Sequence, residues 1–149
     1  MPSRDPRPEL VRSSRSGIIA IGVPIFYVNL LLIAIGGALG SVARFLFSSL
    51  VQRLAPTLFP FGTFAVNVVG CTVFGVIAGA AAQQRVALAP EGRAFLLIGF
   101  LGGFTTFSTF AFESFQLLSD GQFLWAATNL VGQVVAGLAG LWVGYVITY

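Results

Sequence analysis

Charged residues are so sparsely placed that they divide this chain into four long neutral stretches. None lies between Arg15 and Arg44, between Arg53 and Arg85, between Arg93 and Glu113, or after Asp120. A helix that crosses a bilayer needs about 20 predominantly apolar residues. Each of the four stretches is close to that length or longer. The chain has 149 residues, of which 56% are apolar and only 9% charged, against about 25% charged in a soluble domain. So short a chain cannot enclose that much apolar surface in its own core, and the solvent on its outside is therefore lipid. The expected architecture is an all-α integral membrane protein with four transmembrane helices at 26–47, 61–83, 94–117 and 122–147.

The connections agree. Arg53 to Pro60 holds Pro56 and Pro60 and reads as a loop. Gln83 to Arg93 reads as another, with Pro90 and Glu91 placed where a helix N-terminus favours an acid. Ser119-Asp120-Gly121 has turn composition. Residues 1–25 read as a disordered basic tail, and residues 26–149 as the four-helix membrane domain. A basic start before an apolar run also resembles a signal peptide. The run continues past Ala43 without a cleavage motif, so it reads as an uncleaved first helix. Arg4, Arg7, Arg12, Arg15, Arg85 and Arg93 lie on one side of this topology, against one or two (Arg53, or Arg53 with Arg44) on the other. Basic residues prefer the cytoplasmic side, which predicts cytoplasmic termini.

Composition excludes several chemistries. The chain has no histidine, and Cys71 is its one cysteine. Metal sites built from Cys and His, intramolecular disulfides and nucleophiles activated by His are thereby ruled out. The net charge of +3 comes from scattered arginines rather than a basic face, so no nucleic-acid partner is expected.

Ionisable groups inside a membrane are costly and mark function. Arg44 and Glu113 alone lie near the expected spans, both towards helix ends where snorkelling keeps charge solvated. Gly36, Gly37 and Gly40 in the first helix, and Gly62, Gly70, Gly75 and Gly79 in the second, let backbones approach closely. Asn67 sits among apolar residues in mid-span, and a buried amide must find a partner. Two readings stay open for it: an interhelical hydrogen bond, or a donor aimed at a permeating anion.

Residues 99–110 read Gly-Phe-Leu-Gly-Gly-Phe-Thr-Thr-Phe-Ser-Thr-Phe. Paired glycine followed by four hydroxyl residues makes a poor continuous helix. A break at membrane depth is tolerated only where it is buried in protein or lines a cavity, and it frees backbone carbonyls that can hold a cation. Phe100, Phe104, Phe107 and Phe110 recur at a helical spacing and are expected to share one stripe. Such a stripe most often packs or faces lipid. Aromatic rings also carry a positive edge. Ring edges and hydroxyls together offer an anion many weak donors, which permits passage where a fixed charge would trap the ion.

Three segments carry a family resemblance: 36–44 (Gly-Gly-Ala-Leu-Gly-Ser-Val-Ala-Arg), 61–70 (Phe-Gly-Thr-Phe-Ala-Val-Asn-Val-Val-Gly) and 102–110 (Gly-Gly-Phe-Thr-Thr-Phe-Ser-Thr-Phe). In sequence, order and spacing they resemble the CrcB/Fluc family of fluoride ion channels, from about Leu30 to the C-terminus. The resemblance implies a dimer of four-helix subunits in antiparallel, dual-topology orientation, with the third helix broken. It implies two pores along the subunit interface and a structural sodium ion (Na+) at the dimer centre. It implies a protein of the cell (plasma or inner) membrane that lets fluoride leave the cytoplasm passively and lowers its toxicity. By motif, Phe107 and Phe110 are the pore phenylalanines, Ser108 and Thr109 belong to the polar track, and Asn67 is the pore asparagine. Gly102 and Thr105 are the sodium-binding carbonyl donors, and Arg44 stands near a vestibule.

Many members of that family carry a tyrosine and a serine four residues apart in the fourth helix. Asn129 and Gln133 occupy those positions here and complete the expected fluoride track. The N-terminal extension before about Tyr27 is longer than usual. It biases the arginine count, so the partner expected is either a second copy or, in a heterodimer, a paired homologous subunit. Two rival readings make less of the residues. A proton-coupled exporter of the small multidrug-resistance type needs a carboxylate in the first helix, and this chain has none there. A non-transporting membrane assembly subunit explains the glycines but not the hydroxyl-rich segment. No enzyme is expected, because no base stands ready to activate the candidate groups.

Overall fold

A computed structural model describes the backbone from Arg7 and the side chains from Pro24 to Tyr149. The tail expected over residues 1–25 falls almost wholly outside those described side chains. The first helix, α1, is Arg7–Leu54, and its membrane-crossing part is Pro24–Leu54. It ends beyond the expected residue 47 because nothing breaks it before Pro56, so Arg44 lies within the helix rather than at its end. Helix α2 is Phe61–Ala82. The third span is Pro90–Ser119 and the last helix is Phe123–Thr148. These four are the helices long and apolar enough to cross a membrane among the described residues.

The third span is bent. Its first part, α3 (residues 90–104), opens with proline in the first turn and Glu91 beside it, both suited to a helix N-terminus. It widens to π-helical winding over Ala94–Leu101 and closes with one turn at Gly102–Phe104. Thr105 and Thr106 then take extended dihedral angles, with ψ of 159° and 118°. Helix α4 resumes at Phe107–Ser119. The two threonines explain the bend between them. Thr105 turns both its backbone N–H and its hydroxyl back onto the Leu101 carbonyl, each at 3.0 Å. Thr106 caps α4, its hydroxyl accepting from Thr109 N–H at 3.3 Å, as serine and threonine do at helix starts. After α4, Gly121 turns the chain at φ +71°, a conformation that glycine adopts without a Cβ penalty, and the last helix, α5 (Phe123–Thr148), follows.

Packing is close and built on small residues. The two extensive pairings are α1 with α3 and α2 with α5. A Cβ placed on Gly75, Gly79 or Gly144 would land on backbone of the facing helix, and so would one on Gly36, Gly40 or Gly103 across the α1–α3 crossing. Without a hydrophobic drive between helices in lipid, such approach is what secures them. Few apolar side chains are buried, Val66 and Ala126 most completely. Leu39, Phe45, Val131 and Leu138 are exposed on the outer faces, as expected where lipid replaces water.

Candidate functional site

The bend at Thr105–Thr106 organises the polar side chains of the membrane interior. Asn67, from the middle of α2, grips Thr106 at both ends of its backbone. Its Nδ2 donates to the Thr106 carbonyl at 3.0 Å and its Oδ1 accepts the Thr106 N–H at 2.9 Å. The Thr106 N–H that the bend releases from the helical ladder is thereby satisfied and the Thr106 carbonyl gains a further donor, as irregular backbone at membrane depth requires. In a continuous helix the Thr106 N–H would pair with the Gly102 carbonyl; here that carbonyl is left free of it.

From Asn67 a chain of amides crosses to α5 and returns to α4. Asn67 Nδ2 donates to Gln133 Oε1 at 2.6 Å, and Gln133 Nε2 to Asn129 Oδ1 at 3.0 Å. Asn129 Nδ2 donates to Ser114 Oγ at 2.9 Å, and the Ser114 hydroxyl to the Phe110 carbonyl at 2.8 Å. Every donor points the same way along the chain, so the bonds polarise one another. Asn129, Gln133 and Ser114 are all buried. The spacing of Asn129 and Gln133, four residues apart, puts both on the α5 face that meets α2 and α4.

The bend also divides the phenylalanines, so the single stripe expected from their spacing is not formed. Phe100 and Phe104 stay on the α3 side and stack at 6.2 Å. Phe107 and Phe110 begin α4, edge to face at 5.5 Å and 63°. Periodicity fails here because two extended residues rotate the second pair away from the first. Phe110 is buried, whereas Phe107 is 79% exposed and Ser108 and Thr109 are exposed beside it.

Two clefts flank the bend. One, of about 260 Å³, is lined by Asn67, Thr105, Thr106, Phe107, Phe110 and Gln133. The other, of about 320 Å³, is lined by Ser41, Arg44, Ser48, Thr63, Thr106 and Thr109. Thr106 forms a wall of both. Arg44 reaches the bend, donating to the Thr105 carbonyl at 3.4 Å. Glu113 does not snorkel as its place near a helix end suggested. It turns inward to accept from Thr63 Oγ1 at 2.7 Å, and its second oxygen is buried without a partner.

The structure thus gathers Asn67, Phe107, Phe110, Asn129 and Gln133 on one side of the bend and places Arg44 on the other, while Ser108 and Thr109 open outward. Sequence reasoning missed Ser114 and Thr63. The signal for Ser114 was its position four residues after Phe110, within bonding reach of that carbonyl along one helix face. Among the described residues no three His, Cys, Asp or Glu side chains could hold a metal together.

Comparison with known proteins places these features. The family described as CrcB-like protein, Camphor Resistance (CrcB) matches residues 31–145. A fluoride-specific ion channel FluC of Nitratidesulfovibrio vulgaris is 51% identical over 116 residues, covering 78% of this chain and 93% of that one. The protein of the same name from Maridesulfovibrio salexigens is 49% identical over 109 residues, covering 73% and 86%. That of Geobacter sulfurreducens is 49% identical over 116 residues, covering 78% and 93%.

Proposed function

The chain belongs to the CrcB family, and from that membership we infer that it is a fluoride-specific ion channel, as its relatives are named. It is a multi-pass membrane protein, of the inner membrane in bacteria, and not an enzyme. The observation that carries the reading is the close likeness to named fluoride channels over 78% of the chain, with the family match running through residues 31–145. The bend supports it. An anion crossing beside α4 meets the edges of Phe107 and Phe110, the hydroxyls of Ser108 and Thr109, and the amides of Asn67 and Gln133, with Asn129 buried behind them. None of these carries a full charge, so the ion is held weakly and released readily. Arg44 stands to one side of that path and raises the local concentration of anions. Passive fluoride exit along this path lowers fluoride in the cytoplasm.

The functional unit we propose is an antiparallel dimer, with the bend at Thr105–Thr106 as the break in its third helix. Phe107, Ser108 and Thr109 are exposed in the single chain, and hydroxyls facing lipid are unfavourable. A second subunit, either another copy or a paired homologue, covers them and completes the pore. Sodium fits the same place. The Gly102 carbonyl is free of the Thr106 N–H, and the Thr105 carbonyl has a second lone pair beside the one facing Arg44. These two carbonyls, with their counterparts in the partner, would hold Na+, whose charge would tie the two bends together. Reporters fused to the C-terminus test the arrangement: signal from both sides of the membrane supports a dual-topology homodimer, and signal from one side alone supports the heterodimer. Function is tested by expressing the chain in a bacterium stripped of its own fluoride export. Restored growth in fluoride is the result expected. Continued sensitivity with the protein present in the membrane, alone and with its paired homologue, would contradict it.

A further inference from the structure

The first helix is far longer than a bilayer needs. Helix α1 has 48 residues, about 72 Å at helical rise, against a hydrocarbon core of about 30 Å. Its neighbour shows where the bundle stops. A Cβ on Gly36 would meet Phe95 and Phe100, and one on Gly40 would meet Phe100 and Phe104, so α1 and α3 run parallel. At equal rise, Pro90 at the start of α3 stands roughly level with Val28. Ile25, Phe26, Tyr27 and Val28 are between 46% and 64% exposed. Four successive residues at steps of about 100° look out on nearly every side of a helix, so among the described residues nothing packs on this turn. All four are apolar or aromatic, and the sequence before them, Gly17 to Val23, is apolar throughout. Beyond the bundle α1 therefore continues as an apolar rod from Gly17 to Val28, about 18 Å long.

A helix that is apolar all round must be covered, and the bilayer cannot take this one upright. From Gly17 to Leu54 the helix would reach about 57 Å. Fitting that into about 30 Å needs a tilt of about 60°, beyond the range of about 0–40° that spanning helices show. A bend resolves the conflict, and Pro24 stands inside the helix at the right place. Proline lacks the N–H that would bond the Ala20 carbonyl, and its ring crowds that carbonyl. Charge then names the surface. Arg4, Arg7, Arg12 and Arg15 precede the apolar rod, against Asp5 and Glu9. Arg85, past the end of α2, and Arg93, in the opening turn of α3, lie on the same membrane face. We propose that α1 bends at Pro24 and that residues 7–23 lie along the membrane surface, docked on anionic lipid headgroups. The apolar residues of the segment supply burial and its arginines supply charge, the two components of an interfacial anchor. Tyr27 stands at the bend, where aromatic side chains favour the headgroup level. The family match begins at residue 31, so the anchor belongs to this chain's own extension. It is independent of the ion that the bundle carries.

The test is amide hydrogen exchange on the full chain in lipid nanodiscs, read by mass spectrometry, in phosphatidylcholine with or without phosphatidylglycerol. A lone helix of this length is marginal in water, so its amides exchange quickly unless it is docked. Slow exchange over residues 7–23 is expected with phosphatidylglycerol and fast exchange without it. Added salt is expected to close that gap. The double variant Arg12→Gln, Arg15→Gln is expected to exchange about thirtyfold faster in the anionic discs, the scale of two arginines at a charged surface. Fast exchange in both lipids would overturn the proposal. Equally slow exchange in both would overturn it too, since the seat would then not depend on anionic headgroups. Exchange in α2 and α5 reports the fold of the bundle and is expected to be the same in every sample. Absence of fluoride release in a separate assay bears on the channel reading and leaves the exchange result standing.

Discussion

The two halves of α5 pack against the same neighbour by different chemistry. One face runs Ala126, Asn129, Gln133, Gly137, Gly140 and Gly144, at steps of three and four residues. Its C-terminal half is glycine, and there a Cβ at Gly144 would meet the Thr72 carbonyl of α2. Its N-terminal half carries Asn129 and Gln133, bonded to each other and onward to Ser114 and Asn67. If holding helices together in lipid were the whole task, glycine would serve along the entire face. The amides occur only beside the bend, where backbone groups need partners and an ion needs donors. Close packing therefore builds the scaffold, and buried polarity marks the path we propose for the ion.

Substitutions can break this contrast from either side. The largest effect is expected at the glycine seam. Gly144→Val drives a side chain into α2 backbone and should cost at least about 3 kcal/mol, read as loss of the monodisperse peak in detergent. Phe107→Ile should instead spare the fold, because that ring is 79% exposed in the subunit. It should cut fluoride release about a hundredfold, some 2.7 kcal/mol; an unchanged rate would make the ring a packing element. Asn129→Leu removes the centre of the amide chain and strands Ser114 and Gln133. About 2 kcal/mol of stability should go with it, seen as a lowered melting temperature. Arg44→Gln should slow release only about threefold, and the deficit should shrink as salt screens the attraction. The smallest effect is expected at Gly137→Ala. The added Cβ would sit 3.4 Å from Cys71 Sγ, an ordinary contact, so stability should change by less than about 1 kcal/mol. A large loss there would show that the seam tolerates no added volume anywhere.

Much of this was legible in the sequence because charge placement alone counts spans in lipid. Four spans were expected and four are found among the described residues, with α2 and α5 starting and ending within a residue of the expected positions. The end of α1 was misplaced by seven residues. Arg44 suggests a nearby helix end, yet a single arginine is tolerated inside a helix when its head reaches a polar group, here the Thr105 carbonyl. The run 102–110 marked where the third span loses its helical regularity. The paired threonines, which end one helix and cap the next, are side-chain detail that composition does not reveal. Phe100 to Phe110 misled for the same reason, since a helical period assumes an unbroken helix. The inward turn of Glu113 was not foreseen either, because its partner Thr63 lies fifty residues away. The pairing of Asn67 with Thr106 and Gln133 likewise depends on how three separate spans meet.

The most direct measurement is ion release from liposomes holding the purified protein, recorded with a fluoride electrode and repeated with chloride. Rapid fluoride release with little chloride release is the predicted result. Equal release of both ions, or none from a correctly folded dimer of the proper subunits, would contradict the account.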